Sequence, residues 1–180
     1  DREGFVKALN GVYIELNTNE LYGRNLTAGA LDVMGQYYSV ASSSHAFYNY
    51  GGLVYTGNDE KALFDNMWQK CYAVIACCNT IIEKCDENKA GLSPVWKGSI
   101  KGEALALRAM LHFDMLRLFS ASPAIDKERK AIPYLESYTN LPQHQLTVGA
   151  VLEKVVKDLN AARELMREVD PYGPNYAKLE

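Results

Sequence analysis

Apolar side chains recur at helical spacing from the start of the chain. Phe5, Leu9, Val12, Tyr13 and Leu16 fall on one side of a helix. The turn NTNELYG follows, and a second helix is predicted over about Asn25–Tyr38. From about Asp59 to Glu87 a wide apolar stripe runs through Phe64, Met67, Trp68, Cys71, Tyr72, Ile75, Cys78 and Ile82. Asp65, Gln69, Lys70, Glu83 and Lys84 take the opposite side, and Asn79 is the odd polar residue at the stripe's edge. NKAGLSP breaks the pattern. Ser93 then caps a new helix, with Pro94 in the first turn, where its missing N–H costs nothing. That helix reaches about Phe119, with Pro123 just beyond. Thr147 caps a last helix with the stripe Val148, Val151, Leu152, Val155, Leu159, Ala162 and Leu165/Met166, and Asp170-Pro171 ends it.

Two stretches keep no helical period. Ser39–Asp59 is rich in Ser, Gly and Asn with scattered aromatics, and reads as one long loop, a kind that often carries function. The second connection is SASPAIDKERKAIPYLESYTNLPQHQL, within which Ala131–Leu135 is predicted to be a short extended piece. Five helices leave little for a sheet. The expected class is all-α, a tetratricopeptide-like bundle of helical hairpins with two long loops.

The segment KGEALALRAMLHFDMLRLF holds five polar side chains in an apolar run. At about 100° per residue, Glu103, Asp114 and Arg117 converge on one side, and Arg108 and His112 on the other. Two apolar arcs separate them: Leu105, Ala109, Phe113 and Leu116, and Leu107, Leu111, Met115 and Leu118. Two arcs imply a helix packed on both sides, and Ala104, Ala106 and Ala109 are small enough to let neighbours close in. Catalysis would need carboxylates, or a carboxylate and a histidine, facing one cavity. Glu103 and His112 point apart, so these charges are read as interhelical pairs.

Composition narrows the class. The 180 residues are 48% apolar and 23% charged, with a net charge of −3, which gives no reason to expect a nucleic-acid partner. No apolar run is long enough to span a bilayer. Cys71, Cys78 and Cys85 share a helix face at roughly 10 Å spacing, too far for a disulfide. Neither they nor Cys77 follow a zinc pattern, so all four are read as small buried apolar residues and no metal or cofactor is expected. Asn25-Leu26-Thr27 matches an N-glycosylation acceptor, which would matter only in a eukaryotic secretory setting. The chain opens on DREGFVKALNGVY with no Met, as an excised piece would. Leu179-Glu180 is set apart as a possible cloning scar, leaving 1–178 as one helical domain.

The ordered set FVKALNGVYIEL, LYGRNL, MWQKCYAVIACCNTII, KGEALALRAMLHFDMLRLF, KAIPYL and LTVGAVLEKVVKDLNAARELM resembles the N-terminal part of the SusD/RagB family. The resemblance covers essentially the whole chain. It implies a surface lipoprotein of the outer membrane, tethered by a lipidated cysteine upstream of this fragment. It implies binding of an oligo- or polysaccharide for delivery to a SusC-type TonB-dependent transporter, with no catalysis. It also implies structural roles for Tyr72 and Asn79 in a Tyr-x-x-Ile-x-x-x-Asn pattern, and for Glu103 and Arg108 in a Gly-Glu-Ala-x-x-x-Arg pattern.

Family ligand sites draw on loops, including the one after the second helix. Sugars offer apolar C–H faces and rings of hydroxyls, which suit aromatic faces and amide or carboxylate groups. The expected contacts are Tyr37, Tyr48, Asn49, Tyr50, Tyr55, Asn58 and Asp59, while Trp96 is assigned to the core. The rival readings are a helical-repeat scaffold that binds only protein and a hydrolase with paired carboxylates.

Overall fold

In the computed structural model, residues 1–167 are described. Six helices follow one another: α1 (Arg2–Leu16), α2 (Ala30–Met34), α3 (Tyr48–Gly51), α4 (Asn58–Glu87), α5 (Pro94–Phe119) and α6 (Val148–Met166). Among the described residues there is no strand beyond one isolated antiparallel bridge, Lys130 to Thr147, and no helix long and apolar enough to cross a membrane. The residues Asp170, Pro171, Leu179 and Glu180 lie outside the described residues. The chain divides into two compact units. One comprises Asp1–Asn10 and the described residues from Ile75 on; the other is Gly11–Val74.

In the first unit the long helices begin and end where the sequence marks them. Ser93 accepts from the Trp96 N–H at 3.5 Å with Pro94 behind it, and Thr147 accepts from the Ala150 N–H at 3.2 Å. Asn88 closes α4 at φ +45°. Its side chain takes the Leu92 N–H at 2.7 Å and gives to the Leu92 carbonyl at 3.1 Å, which turns the chain into α5. Lys101 of α5 then meets Asp86 of α4, and Arg108 meets Asn79. The contacts step in opposite directions along the two helices, as an antiparallel hairpin requires.

α5 packs on α6. A Cβ on Gly102 would lie 2.5 Å from the Met166 Cγ and 3.2 Å from the Ala162 carbonyl oxygen, so a larger residue here would have to displace the Met166 side chain and press on α6. Ala104 and Ala109 are buried beside it, with Leu105, Leu107, Leu111, Met115 and Leu116 on both apolar arcs. Phe113 departs from its arc. It is 39% exposed, with the Arg117 guanidinium 5.3 Å above its ring. On α6, Val148, Val151, Val155 and Ala162 are buried, and Asp158 sits in that line where Leu159 was expected to contribute.

The polar residues of α5 form a sealed junction. Arg108 is 5% exposed. Its Nε and Nη2 give to the two carboxylate oxygens of Asp158 at 2.7 and 2.8 Å, and its Nη1 gives to the Asn79 Oδ1 at 2.8 Å and the Glu136 carbonyl at 3.2 Å. Asn79 turns its own Nδ2 to the carbonyls of Leu135 and Ser137, and the Tyr134 hydroxyl gives to Asp158 at 2.6 Å. The predicted extended piece is thus held on one side by this junction. On the other, Ala131 gives to the Leu146 carbonyl and Leu146 to that of Ile132. Asp114 and Arg117 pair along α5 as expected, and Glu103 is half-buried.

His112 belongs to the same junction. The Leu135 N–H gives to its Nε2 at 3.0 Å, so that nitrogen carries no proton, and Nδ1–H must give to the Arg108 carbonyl at 2.9 Å. Its ring stacks on Tyr134 at 3.8 Å. Burial, helped by the Arg108 charge, pushes its pKa down to about 4, against the pull of that backbone bond and of Asp158 and Glu136.

Three of the four cysteines are buried as predicted, and burial pushes the thiols of Cys78 and Cys85 up to about 12 and 11. Cys77 is exposed, a correction that follows from its place one residue off the stripe. The second helix is shortened. The sequence placed it at about Asn25–Tyr38, but α2 spans five residues, and residues 17–29 form overlapping turns such as Tyr22 N–H to the Leu16 carbonyl and Leu26 N–H to that of Leu21. Gly29 and Gly35 flank α2, and Gln36 at φ +61° ends it.

Removing one half of the buried pair strands the other charge. Arg108→Ala should lower stability by about 3–5 kcal/mol in urea titrations, and the paired change Arg108→Leu with Asp158→Leu by clearly less. Equal losses would show that the charges are not desolvated together. Because His112 is neutral when folded and titrates near 6.5 when unfolded, its contribution is fully present above pH 6.5 and is lost as pH falls toward 4. Stability should drop by up to about 3 kcal/mol across that window. A folded His112→Gln variant should lose that slope; the same slope in both proteins would assign it to other groups.

Candidate functional site

The Gly11–Val74 unit carries every ligand contact expected from the sequence. Ala30, Val33 and Tyr50 form one buried cluster in it, with Met34, Val40, Phe47, Tyr55, Leu63 and Phe64 packed against them. The long loop is therefore less irregular than predicted. It contains α3, and Phe47, Tyr50 and Tyr55 point inward. Tyr50 stands edge-on to Phe47 at 5.8 Å and to Phe64 at 5.9 Å, and Tyr55 lies 5.4 Å from Phe64.

This corrects Tyr50. At 2% exposure it has no face to offer a sugar, and it serves as a core residue. Burial, and after it the carboxylates of Glu60 and Asp59, raise the pKa of its hydroxyl. Tyr55 is half-buried in the same cluster, its hydroxyl also raised by burial. The other expected contacts remain accessible: Tyr37 at 80% and Tyr48 at 42% exposure, with Asn49, Asn58 and Asp59 at the surface. The Asn49 Nδ2 is committed, giving to the Glu60 Oε1 at 2.7 Å, and that bond with Glu60's own N–H lowers the pKa of the buried Glu60 carboxyl.

Asp59 also belongs to a second feature, a groove lined by residues of α4 and of the turns after α1. It lines this groove, of about 260 Å³, with Asn19, Glu20, Arg24, Asn25, Ala62, Leu63 and Asn66. Residues 59, 62, 63 and 66 follow the i, i+3, i+4, i+7 spacing of one helix face, so the α4 side of the groove was readable. The other wall comes from the turns after α1, where LYGRNL carried no assigned binding role. Asn25 is 5% exposed, and its Oδ1 accepts from the Arg24 Nε at 3.2 Å.

Tyr72 is half-buried and lies against Trp68, ring centroids 4.7 Å apart. In the first unit, Arg2 lies 4.8 Å over the half-buried Trp96 ring, which suits its expected packing role.

Comparison with known proteins places this helical frame. Residues 7–173 match the family model SusD-like 3, described as starch-binding associating with outer membrane. The chain belongs to this SusD-like family. Over 162 residues it is 24% identical to SusD-like protein P2 of Formosa agariphila, an alignment that takes in 87% of this chain and 30% of that protein. Its fold is shared with a SusD-like carbohydrate binding protein from Bacteroides vulgatus, with a TM-score of 0.74 at 23% identity over 92% of this chain and 36% of the other. A SusD superfamily protein from Bacteroides thetaiotaomicron gives 0.71 at 23% identity, over 92% and 37%. The chain thus spans about a third of the length of these SusD-like relatives.

Tyr50→Ala should cost about 3 kcal/mol by opening a cavity in the aromatic cluster, measured by urea denaturation, while Tyr50→Phe should stay near wild type. An unchanged midpoint for Tyr50→Ala would return this residue to the list of ligand contacts.

Proposed function

We propose that this chain is the helical N-terminal portion of a non-catalytic protein of the outer cell surface, which binds glycans and passes them to a SusC-type TonB-dependent transporter. The observation that carries this reading is the family match across residues 7–173. The Gly11–Val74 surface supports it chemically. Exposed phenol rings at Tyr37 and Tyr48 suit the C–H faces of pyranose rings, and the nearby amides and carboxylates suit hydroxyls. A lipid anchor upstream of Asp1 would hold such a protein at the membrane.

A hydrolytic role finds less support. The polar residues of α5 are committed to packing: Arg108 and Asp158 are consumed by each other, and His112 is held neutral between two backbone groups. The matched family is described by binding, not by a reaction.

Replacing Tyr37 and Tyr48 together by alanine should weaken glycan binding by the full protein, on the order of 1 kcal/mol per stacked ring. Calorimetry against a glycan first identified on an array measures this, and the melting midpoint should hold because both rings are exposed. Normal binding by the double variant would take the site off these rings.

A further inference from the structure

We propose that the groove between the turns after α1 and the first turns of α4 is a subsite for one uncharged sugar residue, and that it selects against uronate- and sulfate-bearing glycans. This rests on the glycan-binding reading above and deepens it by naming the class of sugar that enters.

The groove keeps polar groups that the fold does not use. Asn25 is a buried side chain at its wall. Its Oδ1 is taken by Arg24, while its Nδ2 makes no hydrogen bond among the described residues and is not sealed from solvent. Such a donor on a groove wall is available to what enters the groove. Arg24 is positioned by that bond and by the Phe47 ring 5.7 Å from its guanidinium carbon, and no carboxylate among the described residues lies within ion-pairing distance of it. Glu20 and Asp59 supply acceptors. Asn19 and Asn66 each offer a donor and an acceptor.

A vicinal diol of a pyranose both donates and accepts, so it is matched by a carboxylate beside an amide. Ala62 and Leu63 add apolar lining suited to the C–H face of the ring. At about 260 Å³ the groove falls below the range usual for drug-sized ligands and suits a single sugar residue.

The charge balance sets the selectivity. Glu20 and Asp59 outnumber Arg24, which leaves the groove at a net charge of −1. The α4 N-terminus, whose unpaired N–H groups attract anions, already has Asp59 and Glu60 in its first turn. An added carboxylate or sulfate would meet like charge, whereas neutral hydroxyls would gain charge-assisted hydrogen bonds.

The test screens the full protein on an array of neutral starch oligosaccharides, other neutral glycans, and uronate- and sulfate-bearing glycans. Wild type is expected to bind neutral members. The Glu20→Gln, Asp59→Asn double variant should bind its best neutral ligand about tenfold more weakly and narrow the gap to anionic glycans. Asn66→Ala should weaken neutral binding in the same direction, and both variants should keep the wild-type melting midpoint. A wild-type preference for anionic glycans, or unchanged neutral binding in both variants, overturns the subsite while leaving glycan binding intact. Wild-type silence across the whole array overturns the glycan reading itself and the subsite with it.

Discussion

A guanidinium enclosed by helices is the constraint on which the larger unit depends. Burying an ion is costly unless its charge is met and its donors are satisfied. Arg108 meets both conditions only if α4, α5, α6 and the extended piece after α5 are all in place, since its partners are Asn79, Asp158 and the Glu136 carbonyl. No subset of these elements satisfies it. The junction also explains how a connection of more than twenty residues without a helix is held in register: Leu135, Glu136 and Ser137 are each bonded by a side chain of the junction.

The smaller unit rests on aromatic packing. Tyr50, Tyr55, Phe47 and Phe64 close a core around Ala30 and Val33 that short helices could not close alone. An isolated five-residue helix is far below the length at which helices persist in water, so α2 exists because Ala30 and Val33 are buried beneath these rings. The tyrosine-rich loop is therefore partly a core that arrives in loop form, and the tyrosines that escape it, Tyr37, Tyr38 and Tyr48, keep their faces for a partner.

Much of this was legible in the residues. Periodicity and capping chemistry located the three long helices after residue 57 to within a residue or so, because Ser93, Pro94 and Thr147 act locally. The outward and inward sides of α5 followed from angles alone. The identity of the Arg108 partner did not, since Asp158 lies fifty residues away on a helix whose pattern offered Leu159 as the apolar choice. The shortness of α2 was also hidden. Residues 17–29 satisfy their backbone by overlapping turns, which apolar spacing does not report. Loop tyrosines are the hardest case, because a sequence gives their chemistry and not their burial.

Hydrogen-bond satisfaction separates the two kinds of polar residue in this chain. Four donor contacts of Arg108, both sides of the Asn79 amide, both oxygens of Asp158 and both nitrogens of His112 are engaged by protein groups. Such groups have little left to give a ligand, and their chemistry is spent on folding. Asn25 is as buried as Arg108, yet it spends its oxygen and keeps its nitrogen. That nitrogen makes no hydrogen bond among the described residues and is not sealed from solvent, so this amide, unlike the polar cluster on α5, keeps a donor for a ligand hydroxyl.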